Sequence, residues 1–379
     1  MKRGWLAAMA VAVGLVLTGL DPVLTDDPVD AAAAVVMEAR TGRVLYEQNA
    51  HEPLPMASTT KIMTTLLTLE QPDLEEPFMV DEEAIQVEGS SMGLQVGDTV
   101  TLLDLAYGMM LPSGNDAANA AAVRIAGSQR AFAALMNQRA RQLGMEDTFF
   151  VNPSGLDAQG HEASAYDLAL LQRAALRDGL YREISGQTQA KRSFGNPPYD
   201  RWLTNHNKLL TYYEWCISGK TGYTDAARRC LVTAAEKDGI TLICVTLNCP
   251  DDWQIHQTLY EECFARLEGV DARELAGEYV LPVMGGEEAA VTVSPAVEES
   301  TFPVAAGERD RLEQRIHLPA FVYAPVARGE VLGEVVYSLD GGELARVALV
   351  AEKAVPAQEP AEAEGLWSRL RSLLPGGTS

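Results

Sequence analysis

The stretch that decides the fold is residues 55–70, PMASTTKIMTTLLTLE. Ser58 stands near its start, and serine is a residue type that commonly caps helices. The apolar side chains that follow recur at helical spacing, at Ile62, Met63, Leu66 and Leu67. A helix that begins at Ser58 would place the amine of Lys61 on the same face as the serine hydroxyl. The pattern therefore predicts a hydroxyl beside an amine, near helix N–H groups that suit both a nucleophile and an oxyanion.

A second motif, Ser113-Gly114-Asn115, interrupts residues 103–142, whose pattern is otherwise helical. We expect it in a loop between two helices, where rigid neighbours can present it. The Ser113 hydroxyl could pass a proton between Lys61 and a leaving group, and the Asn115 amide could hold a substrate amide. Taken alone, the tripeptide is an ordinary turn sequence.

The third motif, Lys220-Thr221-Gly222, opens a run that is typical of an edge strand. Lys220 and Thr221 could grip a carboxylate, and Gly222 would let a substrate backbone approach closely. Ser58 must lose its proton to attack a carbonyl, and Lys61 can accept that proton only when it is neutral. Burial and the charge of Lys220 would both lower the pKa of Lys61. Each motif alone occurs by chance, but the three in this order predict an acyl-transfer site.

Composition excludes several other classes of protein. The 379 residues are 47% hydrophobic and 22% charged, which is usual for a globular protein with room for two domains. A net charge of −23 argues against nucleic-acid binding, because an acidic surface repels phosphate. No C-x-x-C or H-E-x-x-H pattern occurs, so neither a metal nor a cofactor is expected. The cysteine number is odd, which leaves at least one thiol without a partner in the chain: Cys216, Cys230, Cys244, Cys249 and Cys263.

The N-terminus is typical of an export signal. Lys2 and Arg3 precede an uncharged apolar run from Trp5 to Leu20, which is short for a membrane span. We expect a signal peptide over residues 1–30, with an approximate end, and an exported protein at the outer face of the cytoplasmic membrane. An uncleaved anchor is the alternative.

Patterns along the rest of the chain indicate two domains. Residues 31–270 combine helical stretches with two predicted hairpins, one turning at Thr41-Gly42 and one at Asp238-Gly239. Residues 271–352 hold short valine-rich runs between Gly and Pro turns, which predicts a small all-β domain. Residues 353–379 are expected to form a linker rich in Ala, Pro and Glu and then an amphipathic tail.

Four stretches resemble the serine-type D-alanyl-D-alanine carboxypeptidases, the low-molecular-mass penicillin-binding proteins. They are PMASTTKIMTTLL, GSSMGLQVGDTVTLLDLAYGMMLPSGNDAANAAA, FVNPSGLDAQGHEASAYDLALL and SGKTGYTDAARRCLVTAA. The resemblance covers about residues 34–265. It implies an α+β fold with a catalytic domain like that of the β-lactamases, an antiparallel sheet flanked by helices plus a helical cluster, followed by a small all-β domain.

The resemblance also implies roles for the motif residues. Ser58 is expected to be the acylated nucleophile, Lys61 the proton acceptor and Ser113 the relay. The substrate-binding residues are expected to be Asn115, Lys220, Thr221, Gly222 and Tyr223, with the N–H groups of Ser58 and Tyr223 as the oxyanion hole. Family members remove the terminal D-alanine from peptidoglycan stem peptides through an acyl-enzyme, in cell wall biogenesis. β-Lactams acylate the same serine because they mimic the D-Ala-D-Ala unit.

Three other activities fit the motifs less well. A D,D-endopeptidase acting on crosslinked peptidoglycan is the main alternative, because the motifs fix the acyl chemistry but not the leaving group. A class A β-lactamase needs a glutamate to activate the deacylating water, and no E-x-x-L-N pattern lies between Ser113 and Lys220. A catalytically silent peptidoglycan-binding module is disfavoured by the intact motifs.

The chain departs from its relatives at two positions. Many relatives carry a glycine two residues before the position of Cys230, where this chain has Arg228. Some carry an arginine that helps to bind the substrate carboxylate, at the position where this chain has His206. A neutral histidine is a weaker carboxylate partner, which leaves the carboxylate-binding group open. His161, His206 and His256 are expected to have structural or substrate-loop roles.

The C-terminal tail is predicted to lie on a membrane surface. In residues 365–374, one helical face is apolar: Leu366, Trp367, Leu370, Leu373 and Leu374. Arg369 and Arg371 lie on the other face, where they would attract anionic lipid. Docking on the protein's own surface is the alternative.

Overall fold

The computed structural model describes residues 27–296 and 301–359, which divide into two compact units. The first unit extends to Gly269 and includes Pro303–Arg311, and the second comprises Val270–Phe302 and the chain from Leu312. The expected signal peptide and the amphipathic tail lie largely or wholly outside the described residues. In the part of the chain that is described, no helix is both long and apolar enough to cross a bilayer.

The α-helices of the described chain are mostly short. They are α1 Lys61–Leu69, α2 Glu82–Ile85, α3 Leu102–Met110, α4 Asn115–Ala126, α5 Gln129–Gln142, α6 Ala165–Ala175, α7 Gly179–Gly186, α8 Leu209–Tyr212, α9 Asp252–Arg266 and α10 Ala272–Leu275.

The strands form one large sheet in each unit and several small pairs. They are β1 Ala33–Glu38, β2 Val44–Gln48, β3 Leu54–Pro55, β4 Phe78–Met79, β5 Thr99–Val100, β6 Glu162–Ala163, β7 Gln189–Gly195, β8 Pro198–Thr204, β9 Cys216–Thr224, β10 Arg228–Lys237, β11 Ile240–Leu247, β12 Leu267–Asp271, β13 Tyr279–Met284, β14 Ala290–Pro295, β15 Thr301–Ala305, β16 Glu313–His317, β17 Val322–Tyr323, β18 Val331–Leu339 and β19 Gly342–Ala351.

The central sheet of the first unit is antiparallel, in the order β2-β1-β11-β10-β9. Both of its faces are covered. Along β10, Cys230 and Val232 enter the core that includes α1, whereas Leu231 and Ala235 enter a second core against α9. Because both faces of the sheet are buried, the sequences of these strands are continuous apolar runs and do not alternate between apolar and polar residues. Strand β9, which carries the third motif, lies at the edge of the sheet.

Helix α1 lies inside the helical cluster and is buried along almost its whole length. Its apolar residues contribute to the main core, and its threonine hydroxyls form hydrogen bonds within the protein. Thr64 donates to the Pro153 carbonyl at 2.7 Å, and Thr68 donates to the carbonyl of Thr64 at 2.7 Å. A helix with polar groups satisfied in this way can be surrounded on all sides.

The expected start of this helix was wrong. Ala57–Thr60 form a 3-10 turn and α1 begins at Lys61, with no side-chain cap at the start of either. The Ser58 hydroxyl lies instead 2.9 Å from the amine of Lys61. The predicted contact between the two side chains is therefore present, although Ser58 does not cap the helix.

The second unit is built on a six-stranded sheet in the order β16-β18-β19-β14-β13-β17. Its longest hairpin, β18 with β19, turns at Asp340 and Gly341, both with positive φ. The expected linker begins later than residue 353, because Val355 is fully buried and pairs with Val326. The hairpin of β7 and β8 was not predicted, since its sequence is largely polar.

Candidate active site

Lys61 is the centre of the site, because the first two motifs meet at its amine. Its Nζ lies 2.9 Å from Ser58 Oγ, 2.7 Å from Asn115 Oδ1 and 2.5 Å from the carbonyl oxygen of Ser154. The amide and the carbonyl oxygens can only accept hydrogen bonds. A neutral amine has two N–H groups, which satisfy these two acceptors and leave its lone pair for Ser58. The Ser58 hydroxyl then donates to Nζ, which is the arrangement that a base requires.

Burial favours the neutral form of this amine. The side chain of Lys61 is fully buried. Desolvation lowers its pKa well below the usual range, the charge of Lys220 lowers it further, and Asp116 acts in the opposite direction. The Asp116 carboxylate is itself held by N–H groups of a loop, at Met92, Gly93 and Leu94.

Lys220 joins the edge strand to the helical cluster. Its Nζ donates to Ser113 Oγ at 3.0 Å and to its neighbour's carbonyl, that of Thr221, at 2.8 Å. Burial lowers the pKa of Lys220 to about 7. Ser113 is almost fully buried, and its φ of 62° is a backbone conformation that is uncommon for residues other than glycine. The hydrogen bond of Ser113 goes to Lys220 and not to Lys61.

Asn115 lies at the start of α4, and both polar atoms of its side chain form a hydrogen bond within the protein. Its Oδ1 accepts from Lys61, and its Nδ2 donates to the carbonyl of Glu88 at 2.7 Å. The structure therefore gives Asn115 a role in positioning Lys61, which the sequence did not predict.

Two glycines allow the turn that carries Ser58. A Cβ on Gly155 would lie 2.0 Å from the carbonyl oxygen of Ala57, and Gly155 has a φ of 87°. A Cβ on Gly222 would lie 3.1 Å from the backbone nitrogen of Ser58. The close approach expected at Gly222 is therefore made by the backbone of Ser58. Ala57 has a φ of 48°, so the residue before Ser58 is held in the left-handed region.

His161 supports this turn from below. Its Nδ1 accepts the backbone N–H of Val151 at 2.9 Å, so the neutral ring carries its proton on Nε2 and donates it to Thr60 Oγ1 at 2.8 Å. Thr60 in turn donates to the carbonyl of Ala57 at 2.8 Å. Burial lowers the pKa of His161 to about 4.

The other two histidines of interest lie in different surroundings. His256 is buried in the second core between Thr233 and Thr246, where burial lowers its pKa to about 3. Burial lowers the pKa of His206, and the nearby charge of Lys220 lowers it further. His206 is therefore a neutral neighbour of the site and not a cation.

Strand β9 presents an open edge beside Ser58. It pairs with β10 on one side only, and Tyr223 at the edge is 59% exposed. An unpaired strand edge can take up an extended peptide as an additional strand. Within residues 27–296 and 301–359, no cluster of acidic, histidine or cysteine side chains is arranged to hold a metal, and the five cysteines are unpaired.

Comparison with known proteins finds two family models. The D-alanyl-D-alanine carboxypeptidase model matches residues 22–251, and the model for the C-terminal domain of penicillin-binding protein 5 matches residues 276–357. D-alanyl-D-alanine carboxypeptidase DacF of Bacillus subtilis is 30% identical over 335 residues, which are 86% of this chain and 85% of the relative.

Two further matches differ in how much of this chain they cover. A crystal structure of penicillin-binding protein 5 from Haemophilus influenzae is 27% identical, with a TM-score of 0.66, and the match covers 88% of this chain and 99% of that one. A D-alanyl-D-alanine endopeptidase of Pseudomonas aeruginosa is 31% identical, but its match covers only 56% of this chain and 70% of that protein. The match to DacF thus extends over more of this chain than the match to this endopeptidase does.

Proposed function

The chain belongs to the D-alanyl-D-alanine carboxypeptidase family and is a peptidase of peptidoglycan, and from this premise we propose that Ser58 is its acylated nucleophile and Lys61 its base. The observation that carries the proposal is the bonding of the Lys61 amine. Two obligate acceptors, Asn115 Oδ1 and the Ser154 carbonyl, take two of its N–H groups, so that a neutral amine is left with its lone pair towards Ser58 Oγ, 2.9 Å away.

Acylation then follows from these contacts. Lys61 removes the Ser58 proton as the oxygen attacks the carbonyl of the penultimate D-alanine. The developing oxyanion is stabilised by the N–H groups of Ser58 and Tyr223. Ser113 gives a proton to the amine of the departing D-alanine, and Lys220, which donates to Ser113, replaces it. The proton taken up by Lys61 is returned through solvent to Lys220, so that Lys61 is again neutral and can accept a proton from the attacking water. Hydrolysis of the ester then passes this proton to Ser58, releases the shortened peptide and restores the starting state.

The substrate is placed along the open edge of β9. Thr221, Gly222 and Tyr223 lie in sequence on this strand, and the Ser58 nitrogen lies against Gly222. A peptide that pairs with the edge brings its scissile carbonyl to the level of Ser58. β-Lactams bind to proteins of this family, and we propose that they acylate the same serine.

Product analysis tests the preferred leaving group. The purified protein is incubated with a pentapeptide ending in D-Ala-D-Ala and, separately, with a crosslinked muropeptide, and the products are identified by mass. We expect loss of one alanine from the pentapeptide and little cleavage of the crosslink, with Ser58→Ala as the inactive control. Faster cleavage of the crosslink would overturn this expectation and favour the endopeptidase.

We further propose that the protein is exported and that its tail lies on the membrane surface. The support is in the sequence: an apolar N-terminal run, and an amphipathic segment at 365–374 with two arginines. Truncation after Glu359 leaves the buried Val355 in place and removes the tail. The intact signal-free protein should bind anionic vesicles more strongly than the truncated one, and equal binding would exclude the tail as the anchor.

A further inference from the structure

Strand β13 of the second unit carries apolar side chains on both of its faces, and the described residues cover only one of them. Side chains alternate along a strand. Leu281 and Val283 point into the core and are buried, whereas Val280 and Met284 on the other face are 68% and 51% exposed. Pro282, which lies between these two, is exposed as well. The outer face of β13 is therefore an apolar surface in contact with water.

The neighbouring edge strand β17 extends this apolar surface. Tyr323 is the cross-strand partner of Met284, so the two side chains lie on the same face, and Tyr323 is 73% exposed. Phe321 is also exposed and packs edge to face on Tyr323, with the ring centres 5.4 Å apart. Single apolar residues are common on protein surfaces, but a contiguous patch marks a surface that binds something. The β13 patch consists of Val280, Pro282, Met284, Phe321 and Tyr323.

The described chain ends beside the β13 patch. Ala357 forms a bridge with Gly286, and the N–H of Gln358 donates to the carbonyl of Gly285, the residue that follows β13, at 2.8 Å. Leu366, the first apolar residue of the tail, comes eight positions after Gln358, and eight residues can span about 26 Å. A strand of six residues, such as β13, is about 20 Å long. The tail can therefore reach the whole patch.

The chemistry of the tail complements that of the patch. Within residues 366–374, five apolar side chains are accompanied by Arg369 and Arg371. Strand β13 lies between two exposed carboxylates, Glu278 before it and Glu287 after it. Opposite charges at the border of an apolar contact favour one orientation of the two surfaces. A second copy of the patch would bring the same carboxylates together, and an anionic membrane would repel them, so the tail fits the patch better than either.

We propose that the apolar residues of the tail cover the β13 patch when the protein is away from the membrane, and that lipid competes with the patch for them. The inference goes beyond the proposed function, and its second part rests on the proposed anchoring role of the tail. Docking would remove apolar side chains of both surfaces from water. It would also lower the apparent affinity for the membrane, because only molecules with a free tail can bind.

Limited proteolysis with trypsin measures the docking without any membrane. Cleavage after Arg369 or Arg371 shortens the signal-free protein by a mass that identifies the site. The double variant Met284→Ser/Tyr323→Ser should be cleaved about tenfold faster than the wild type, because it loses two large apolar contacts. Met79→Ser is the control, since Met79 is an exposed methionine of the first unit, and it should be cleaved at the wild-type rate. Equal rates in the wild type and the double variant would overturn the inference.

Vesicle binding tests the competition and separates the other possible occupants of the patch. The double variant should bind anionic vesicles about fivefold or more tightly than the wild type does, because its tail is free. Unchanged binding would overturn the competition, and weaker binding would overturn the inference, since the patch itself would then contact lipid. Tryptic cleavage that slows as the protein concentration rises would also overturn it, in favour of a second copy. Equal binding by the intact protein and by the protein truncated after Glu359 would instead overturn the proposed anchor, while the proteolysis would still decide the docking.

Discussion

Protonation of His161 should destabilise the first unit in mildly acidic solution. The ring accepts a backbone N–H from Val151 at Nδ1 and donates from Nε2 to Thr60, so both nitrogens are satisfied only in the neutral form. A second proton would have to go on Nδ1, where it would face the N–H of Val151 and lose the hydrogen bond. Burial is the main reason why the pKa of His161 is lowered to about 4 from 6.5, and this conflict acts in the same direction.

The size of the effect follows from this difference. His161 is 5% exposed, so screening by solvent is small. The folded pKa is below the unfolded one, so stability is fully present above pH 6.5 and is lost as the pH falls towards 4. At about 1.36 kcal/mol per pH unit, His161 alone should lower the free energy of unfolding by about 2 kcal/mol at pH 5 relative to pH 7.

Urea unfolding at pH 7 and pH 5 measures this loss in the wild type and in His161→Gln. The protein is truncated after Glu359 to remove Trp367, so that tryptophan fluorescence reports on the first unit, in which Trp202, Trp215 and Trp253 lie. The wild type should lose about 2 kcal/mol more than His161→Gln over this pH range. His51→Gln is the control, since His51 is exposed and its substitution should leave the loss unchanged. Equal losses in the wild type and His161→Gln would refute the reasoning.

Three further predictions concern the nucleophile and its neighbours. Lys61→Arg should slow acylation by a fluorescent penicillin by about 10²-fold or more, because guanidinium does not deprotonate in this range; near-normal labelling would show that another group takes the proton. The rate of acylation should decline as the pH rises through about 7, where Lys220 loses its charge. The Lys220→Arg variant should show this decline at higher pH, even if the maximal rate of the variant is lower. An unmoved profile would assign the decline to another group. Gly155→Ala should lower the free energy of unfolding by about 2 kcal/mol or more, because the new Cβ would meet the carbonyl of Ala57. Gly160→Ala is the control, since Gly160 also has a positive φ but no neighbour within 4 Å, and it should lower the free energy of unfolding less. Equal losses would contradict the packing argument.

Short-range patterns in the sequence were sufficient to predict much of the site. Residues three apart on a helix, or within one tripeptide, lie close to each other wherever the segment is placed in the fold. The contact between Ser58 and Lys61 was therefore predicted, although α1 begins three residues later than expected. The hairpins of the central sheet and the all-β second unit were predicted because their turns contain glycine at positive φ. The family resemblance then supplied the relative placement of the three motifs.

The features that were missed depend on tertiary structure. A backbone carbonyl such as that of Ser154 has no sequence signature, and only the folded loop brings it to within 2.5 Å of Lys61. A structural or substrate-loop role was expected for His161, but its partner Thr60 could not be predicted, because the two residues are 101 positions apart in the chain.

The central claim, that Ser58 is the nucleophile served by a neutral Lys61, is tested most directly by mapping the covalent adduct. The protein is labelled with a fluorescent penicillin and digested, and the labelled peptide is sequenced by mass spectrometry, with Ser58→Ala in parallel. We expect the adduct on Ser58 and no labelling of the variant. An adduct on another residue, or labelling that persists in Ser58→Ala, would contradict the account.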